Sequence, residues 1–167
     1  MPDLQLLRAD HGQAILAFEL ANRAYFAGFI SDRGDEYFDQ FAEQHQAMLA
    51  DQEEGKGAYH VLVADDGSIL GRFNLFFTAN GIANLGYRVA QDVAGRGVAT
   101  SAVCELVQLA AARHGLHTLR AATSHENVAS AKVLAKAGFV PTGPAGPGDL
   151  GGGHGTWYQL DLAADRT

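Results

Sequence analysis

Cysteine is almost missing: Cys104 stands alone among 167 residues, which excludes an internal disulfide. A chain of this length can bury a core without such a staple. A lone thiol fits a reducing compartment, and Met1-Pro2-Asp3 lacks the basic-then-apolar opening of a secretory signal, so cytoplasmic residence is the expectation. No apolar run approaches the ~18 residues of a membrane span. Positive charge is also scarce: 12 Lys and Arg against 19 Asp and Glu leave a net charge of −7. That argues against non-specific nucleic-acid binding and, by steering, slightly favours cationic partners. It does not exclude an anionic ligand, because backbone N–H groups at a helix start can hold a phosphate whatever the distant surface carries. No metal is expected. His114 and His117 flank Gly115, share no helical face, and have no third ligand spaced to join them.

What is present reads as one domain over residues 1–167, with 47% hydrophobic and 19% charged residues. A first strand is predicted over 4–8, then a helix over 11–22 with Asp10 as its N-cap. Residues 32–52 have a helical period, with Tyr37, Phe38, Phe41, His45, Met48 and Leu49 as the apolar stripe. Three strands follow, over 59–64, 69–78 and 82–89, separated by the turn signals Asp65-Asp66-Gly67-Ser68 and Ala79-Asn80-Gly81. The period then becomes 3.6: Ala99, Ala102, Val103, Leu106, Leu109 and Ala110 share one face of a helix running to about Arg113, with Gly115 as its C-terminal cap. A strand over 117–123, a helix over 128–136 and a strand beginning at Gly138-Phe139-Val140 come next. The Gly- and Pro-rich residues 141–155 are expected to be mostly loop, and 156–162 a final strand. The result is an α/β (α+β) mixed sheet of about seven mostly antiparallel strands, flanked by about four helices.

The informative segment is Gly86-Tyr87-Arg88-Val89-Ala90, then Gln91-Asp92-Val93-Ala94, then Gly95-Arg96-Gly97-Val98-Ala99-Thr100. A strand enters a glycine turn that opens directly into an amphipathic helix. Gly95 and Gly97 allow close approach of a ligand, and the unpaired first amides and the helix dipole favour a phosphate. The lysine of a Walker loop is missing, and Thr100 stands where a Rossmann turn has its third glycine or alanine. Alone, the turn could equally do no more than redirect the chain.

Ala94-Gly95-Arg96-Gly97-Val98-Ala99 resembles the [Gln/Arg]-x-x-Gly-x-[Gly/Ala] signature of the GNAT N-acetyltransferases. Asn127-Val128-Ala129-Ser130 and the following Val133-Leu134-Ala135-Lys136-Ala137-Gly138-Phe139 resemble the family's second signature. The fuller text over 82–143 is most similar to the RimJ/RimL-type branch. The first signature position, usually Gln or Arg, is Ala94 here, so the expected phosphate seat is backbone, with Arg96 supplying charge.

The resemblance implies a GNAT-type fold and acetyl-CoA as cosubstrate. It places the pantetheine arm on the strand edge at Val89 and Ala90, and the pyrophosphate on the amides of Gly95, Arg96, Gly97, Val98, Ala99 and Thr100. Asn127 and Ser130 are implied at the pantetheine and thiol end. Many relatives have a tyrosine where Leu134 stands, which makes Ser130 the candidate for meeting the departing thiolate; a helix-start hydroxyl bonded to backbone is an equal reading. Strand N–H groups near Val89 would polarise the thioester carbonyl. His154 and Asp149 are candidate bases in the loop before the last strand, while Asp35, Glu36, Phe26 and Phe29 are candidates for the acceptor site. For each charged group a solvated loop residue is the plainer alternative. Cys104 reads as packing rather than nucleophile.

The function implied is direct acetyl transfer from acetyl-CoA to a primary amine, either a protein N-terminus or a small molecule, by a monomer or homodimer. The alternatives are a non-catalytic acyl-CoA sensor or interaction domain of the same fold, and a nucleotide-binding domain of another fold.

Overall fold

The computed structural model describes residues 2–29, 31–150 and 152–162. Seven strands form a single sheet: β1 (Asp3–Leu6), β2 (Gly57–Val63), β3 (Ile69–Ala79), β4 (Ile82–Val89), β5 (Thr118–Ser124), β6 (Val140–Ala145) and β7 (Gly155–Asp161). Their spatial order is β1-β2-β3-β4-β5-β7-β6, and all pairs are antiparallel except β4 with β5. This mixed, mostly antiparallel sheet is the one the resemblance implies. Among the described residues, no helix is long and apolar enough to cross a membrane.

Strand alternation gives the sheet two buried faces. One carries Phe73, Leu75, Leu85 and Leu119 against α5 (Val98–Ala112) and α6 (Val128–Lys136), which contribute Val103, Leu106 and Leu134. On the other face, Tyr59 and Val61 pack under α1 (Gly12–Ala21), α2 (Arg23–Ala27) and α4 (Phe41–Glu53), with Ile15, Phe18, Phe26 and Phe41. The buried residues of α5 are Ala102, Val103, Leu106 and Ala110, the spacing of one helical face. Its C-terminus closes through Gly115 (φ 64), across which the Leu116 N–H reaches the Ala110 carbonyl at 3.0 Å.

Several expectations change. Asp10 does not cap α1; it lies in a 3-10 turn over Ala9–His11, with its carboxylate held by Arg8 Nε at 3.0 Å. The helix expected over 32–52 is two, α3 (Asp35–Asp39) and α4, broken at Gln40 (φ −108, ψ 23). The break lets the Tyr37 hydroxyl meet Arg72 while Phe41 enters the core. The first helix also continues past Asn22 as α2. Residues 141–155 are not mostly loop: they hold most of β6 and the short α7 (Pro147–Leu150). Pro141 and Pro144 are tolerated because β6 is the edge strand and its register slips between Pro141 and Gly143.

Candidate active site

β4 and β5 are paired only over residues 82–84 against 118–120. Beyond that point β5 pairs with β7 and β4 with β3, so the sheet opens into a V. The Ala90 N–H is bonded to the Leu70 carbonyl (2.8 Å), and the Ala90 carbonyl accepts from Val93 (3.2 Å). Because antiparallel bonds alternate along a strand, the peptide groups of Leu85, Tyr87 and Val89 point the other way, into the V. Val89 therefore offers a strand edge and lines a cavity there. Ala90 does not: its polar groups are spent on the protein and it is buried.

The turn after β4 is held by a side chain that sequence reasoning passed over. The carboxamide oxygen of buried Asn22 accepts the Gln91 N–H at 2.9 Å, and its amide donates to the Phe18 carbonyl at 2.9 Å. The junction of α1 and α2 thus fixes where the turn begins. Gly95 (φ 77) and Gly97 (φ 78) both adopt left-handed backbone, and a Cβ on either would meet nothing within 4 Å. Glycine here answers to backbone conformation and leaves open space above the helix start. The α5 ladder begins when Ser101 N–H donates to the Gly97 carbonyl (3.0 Å), so Val98, Ala99 and Thr100 lie in the turn whose amides precede it. Ala94, Gly95 and Ala99 line the adjoining cavity, while Arg96 is exposed beside it.

Two cavities meet in the V. One, of about 130 Å³, runs along Val89, Gly95 and Ala99 to α6. The other, of about 300 Å³, opens on the α1/α4 side between β4, β5 and α7. Phe29, Tyr87, Arg88, Asn127 and Ser130 belong to both. Asn127 caps α6, its side chain accepting the Ser130 N–H at 3.2 Å. That leaves its amide hydrogens for the cavity.

The Ser130 hydroxyl lies 2.9 Å from the Tyr87 hydroxyl. Leu134, where the resemblance implies a tyrosine in many relatives, is buried in the core. Tyr87 brings a phenol to the same helix from the strand instead. Burial raises this phenol to about 12, against the lowering effect of the Ser130 hydrogen bond. It therefore keeps its proton at neutral pH and can donate it in a hydrogen bond. Tyr87 was not singled out because its place in an alternating strand reads as sheet packing, which its stacking on Phe73 (5.6 Å between ring centroids) also satisfies.

The other candidates are distributed unevenly. Asp149 lines the larger cavity and, among the described residues, is the only carboxylate on it; its Oδ2 accepts the Gly146 N–H at 3.0 Å. His154 is exposed and lines neither cavity. Asp35 is exposed and bonded to Arg23 (2.9 Å), and Glu36 is exposed on α3; neither lines the larger cavity. Phe26 is buried beneath the Arg88 guanidinium at 4.6 Å, and Phe29 stands where the cavities join.

In place of Asp35 and Glu36, that wall carries Arg33, Arg72 and Arg88 gathered on Glu19, which is 1% exposed. Nothing in the local sequence signals this cluster. Ser124, at the end of β5, lines the same cavity with a buried hydroxyl that has no protein partner.

The acetyltransferase (GNAT) domain family matches the chain over residues 4–140. The probable N-acetyltransferase YjcK of Bacillus subtilis (strain 168) is 31% identical over 149 residues, covering 83% of this chain and 80% of its own. Among solved structures, the ribosomal-protein-S5-alanine acetyltransferase of Vibrio fischeri matches with a TM-score of 0.87 at 21% identity, over 95% of this chain and 92% of its own. Mycobacterium smegmatis RimJ, in complex with CoA-disulfide, matches with a TM-score of 0.85 at 20% identity, over 98% of this chain and 83% of its own. At such identities the two structures speak to the fold.

Proposed function

From the premise that this chain belongs to the GNAT acetyltransferase family, we propose how its residues divide the work of moving an acetyl group from acetyl-CoA to a primary amine. The observation that carries the reading is the V between β4 and β5, with a glycine-started helix at one end and the Tyr87–Ser130 hydroxyl pair inside it. The pantetheine arm lies along the outward peptide groups of Val89 and Tyr87 as an added strand would. The pyrophosphate takes the amides of the turn from Gly95 to Thr100, and the exposed Arg96 adds charge. Asn127 offers its free amide hydrogens to the arm.

The acceptor enters through the larger cavity. Its nitrogen attacks the thioester carbonyl carbon, whose oxygen accepts from an outward strand N–H, and the C–S bond breaks. The departing sulfur receives a proton from the Tyr87–Ser130 pair, in which burial keeps the phenol protonated. The ammonium proton leaves through Asp149 or water before attack, and the second proton that the nitrogen sheds as the amide forms restores the pair. An α-amine, at about 8, needs far less help than a lysine, at about 10.4. The structural likeness to RimJ and to the S5-alanine enzyme supports peptide N-termini as one acceptor class, with small amines as the other.

Attack within a ternary complex requires no covalent enzyme intermediate. Initial rates with varied acetyl-CoA and amine should give intersecting reciprocal plots, and Cys104→Ala should retain them, since Cys104 is an exposed residue of α5. Parallel plots would overturn the direct route. Binding of CoA without turnover on a broad amine and peptide panel would favour the sensor alternative.

A further inference from the structure

The whole chain carries a net charge of −7, yet the wall of the larger cavity is cationic. Arg33, Arg72 and Arg88 all line it, and all three converge on one buried carboxylate, Glu19. Arg72 Nη1 lies 2.8 Å from Glu19 Oε2 and Arg88 Nη1 3.1 Å from Oε1, while Arg33 Nε is 3.7 Å from Oε1. Glu19 sits behind the guanidiniums and is not on the lining. Tyr37 and Met48 also bond Arg72, but neither is a carboxylate. Asp149, the other charged side chain on the lining among the described residues, is exposed on α7, which packs on β5 and β6.

Among the described residues this wall gathers three guanidiniums on one carboxylate, so positive charge exceeds negative in a partly desolvated place. Such an arrangement is expensive unless something else balances it. The arginines are also held in orientation: Arg33 stacks on Tyr37 at 4.7 Å and Arg88 on Phe26 at 4.6 Å. A stacked guanidinium presents its N–H edge, the geometry that grips a carboxylate or phosphoryl group. Burial draws Arg88 below its ordinary value in spite of Glu19, as expected of a cation whose surroundings undercompensate it.

Resting on the acetyltransferase reading of this cavity, we propose that the acceptor is an amine bearing an anionic group, a carboxylate or a phosphoryl, which binds against Arg33, Arg72 and Arg88. The ammonium end faces Asp149 and the V, so the cavity is complementary to a molecule with separated charges. Past Arg33, Arg72, Asn74 and Phe76 a further space of about 240 Å³, walled in part by Tyr37 and Tyr59, gives room for the rest of a larger acceptor. Polyamines and other polycations are disfavoured, the reverse of what net charge alone suggests.

The test uses four small primary amines: β-alanine and O-phosphoethanolamine as anionic probes, ethanolamine as the neutral one and 1,3-diaminopropane as the cationic one. The expected result is kcat/KM at least tenfold higher for an anionic probe, and the better of the two identifies the anion. Arg33→Gln should reduce that preference about tenfold while KM for acetyl-CoA stays within twofold. Arg33 is the arginine to change because its side chain is 37% exposed and only grazes Glu19, so folding does not depend on it. Equal or better use of the neutral or cationic amine overturns the proposal, as does a uniform loss for all four probes in Arg33→Gln. Thermal shifts of CoA-loaded protein with the same amines read binding without turnover. If no amine is acetylated, the transferase reading fails, and the anionic seat then stands or falls on whether the anionic probes alone raise the melting temperature.

Discussion

At the scale of single residues, Tyr87 and Ser130 carry the sharpest expectation. A phenol raised to about 12 keeps its proton throughout the working range, lies 2.9 Å from Ser130 and lines both cavities, so it can share that proton with an adjacent sulfur. Tyr87→Phe keeps the ring that stacks on Phe73 and removes only the oxygen. It should lower kcat by about 10²-fold, the lower end of what one positioned proton donor contributes, with KM for acetyl-CoA little changed. Ser130→Ala should cost less, because the phenol stays. An unchanged kcat in Tyr87→Phe would remove the pair from the chemistry. The sequence showed Ser130 through its signature spacing but not its partner, because which strand residue reaches a helix is decided by sheet register. The arginine cluster was hidden for the same reason: Glu19 stands 53 positions from Arg72 and 69 from Arg88.

At the scale of elements, the segments with a clean local period were legible, and those decided by neighbours were not. The 3.6 period of α5 and the Gly67 turn before β3 needed nothing beyond their own residues. β6 was legible only at its start, Val140, since two prolines and a glycine hide the rest and only its edge position makes it possible. The glycine turn was recognisable, but its backbone changes how it should be probed. Gly97 at φ 78 would strain any β-branched residue, so loss of binding in Gly97→Val could not be told from loss of the helix start. Asn tolerates that backbone. Gly97→Asn should therefore keep the melting temperature within a few degrees while raising the CoA dissociation constant at least tenfold, readable by calorimetry. Wild-type affinity in that variant would move the phosphate elsewhere. Where β2 meets the end of α5, His60 packs beside His114, and burial, with His114 close by, pulls it down to about 4. The folded protein thus binds this proton less readily than the unfolded chain, which takes it up near 6.5. Stability from His60 is complete above pH 6.5 and declines as pH falls towards 4, by at most about 3 kcal/mol. His60→Leu should flatten that part of the unfolding free energy against pH, and an unaltered profile would place the acid sensitivity elsewhere.

At the scale of the whole molecule, the acceptor wall and the fold share one group. Glu19 belongs to α1, yet it anchors arginines from β3, β4 and the segment between α2 and α3, so it couples the helices of one face to the centre of the sheet. Glu19→Gln keeps the shape and a hydrogen-bonding oxygen but removes the only carboxylate, among the described residues, in direct contact with Arg72 and Arg88. Leaving buried cations without that partner costs about 3–5 kcal/mol. For a chain of this size each kcal/mol lowers the midpoint by roughly 2–4 °C, so scanning calorimetry should show a fall on the order of 10 °C. Arg33→Gln, at the exposed rim of the same cluster, should shift the midpoint far less. An anion bound against the arginines would take over part of the work of Glu19, so an anionic amine should restore more of the lost stability in Glu19→Gln than it adds to the wild type. If the two proteins gain equally, the arginines are balanced within the fold and leave no charge for an acceptor.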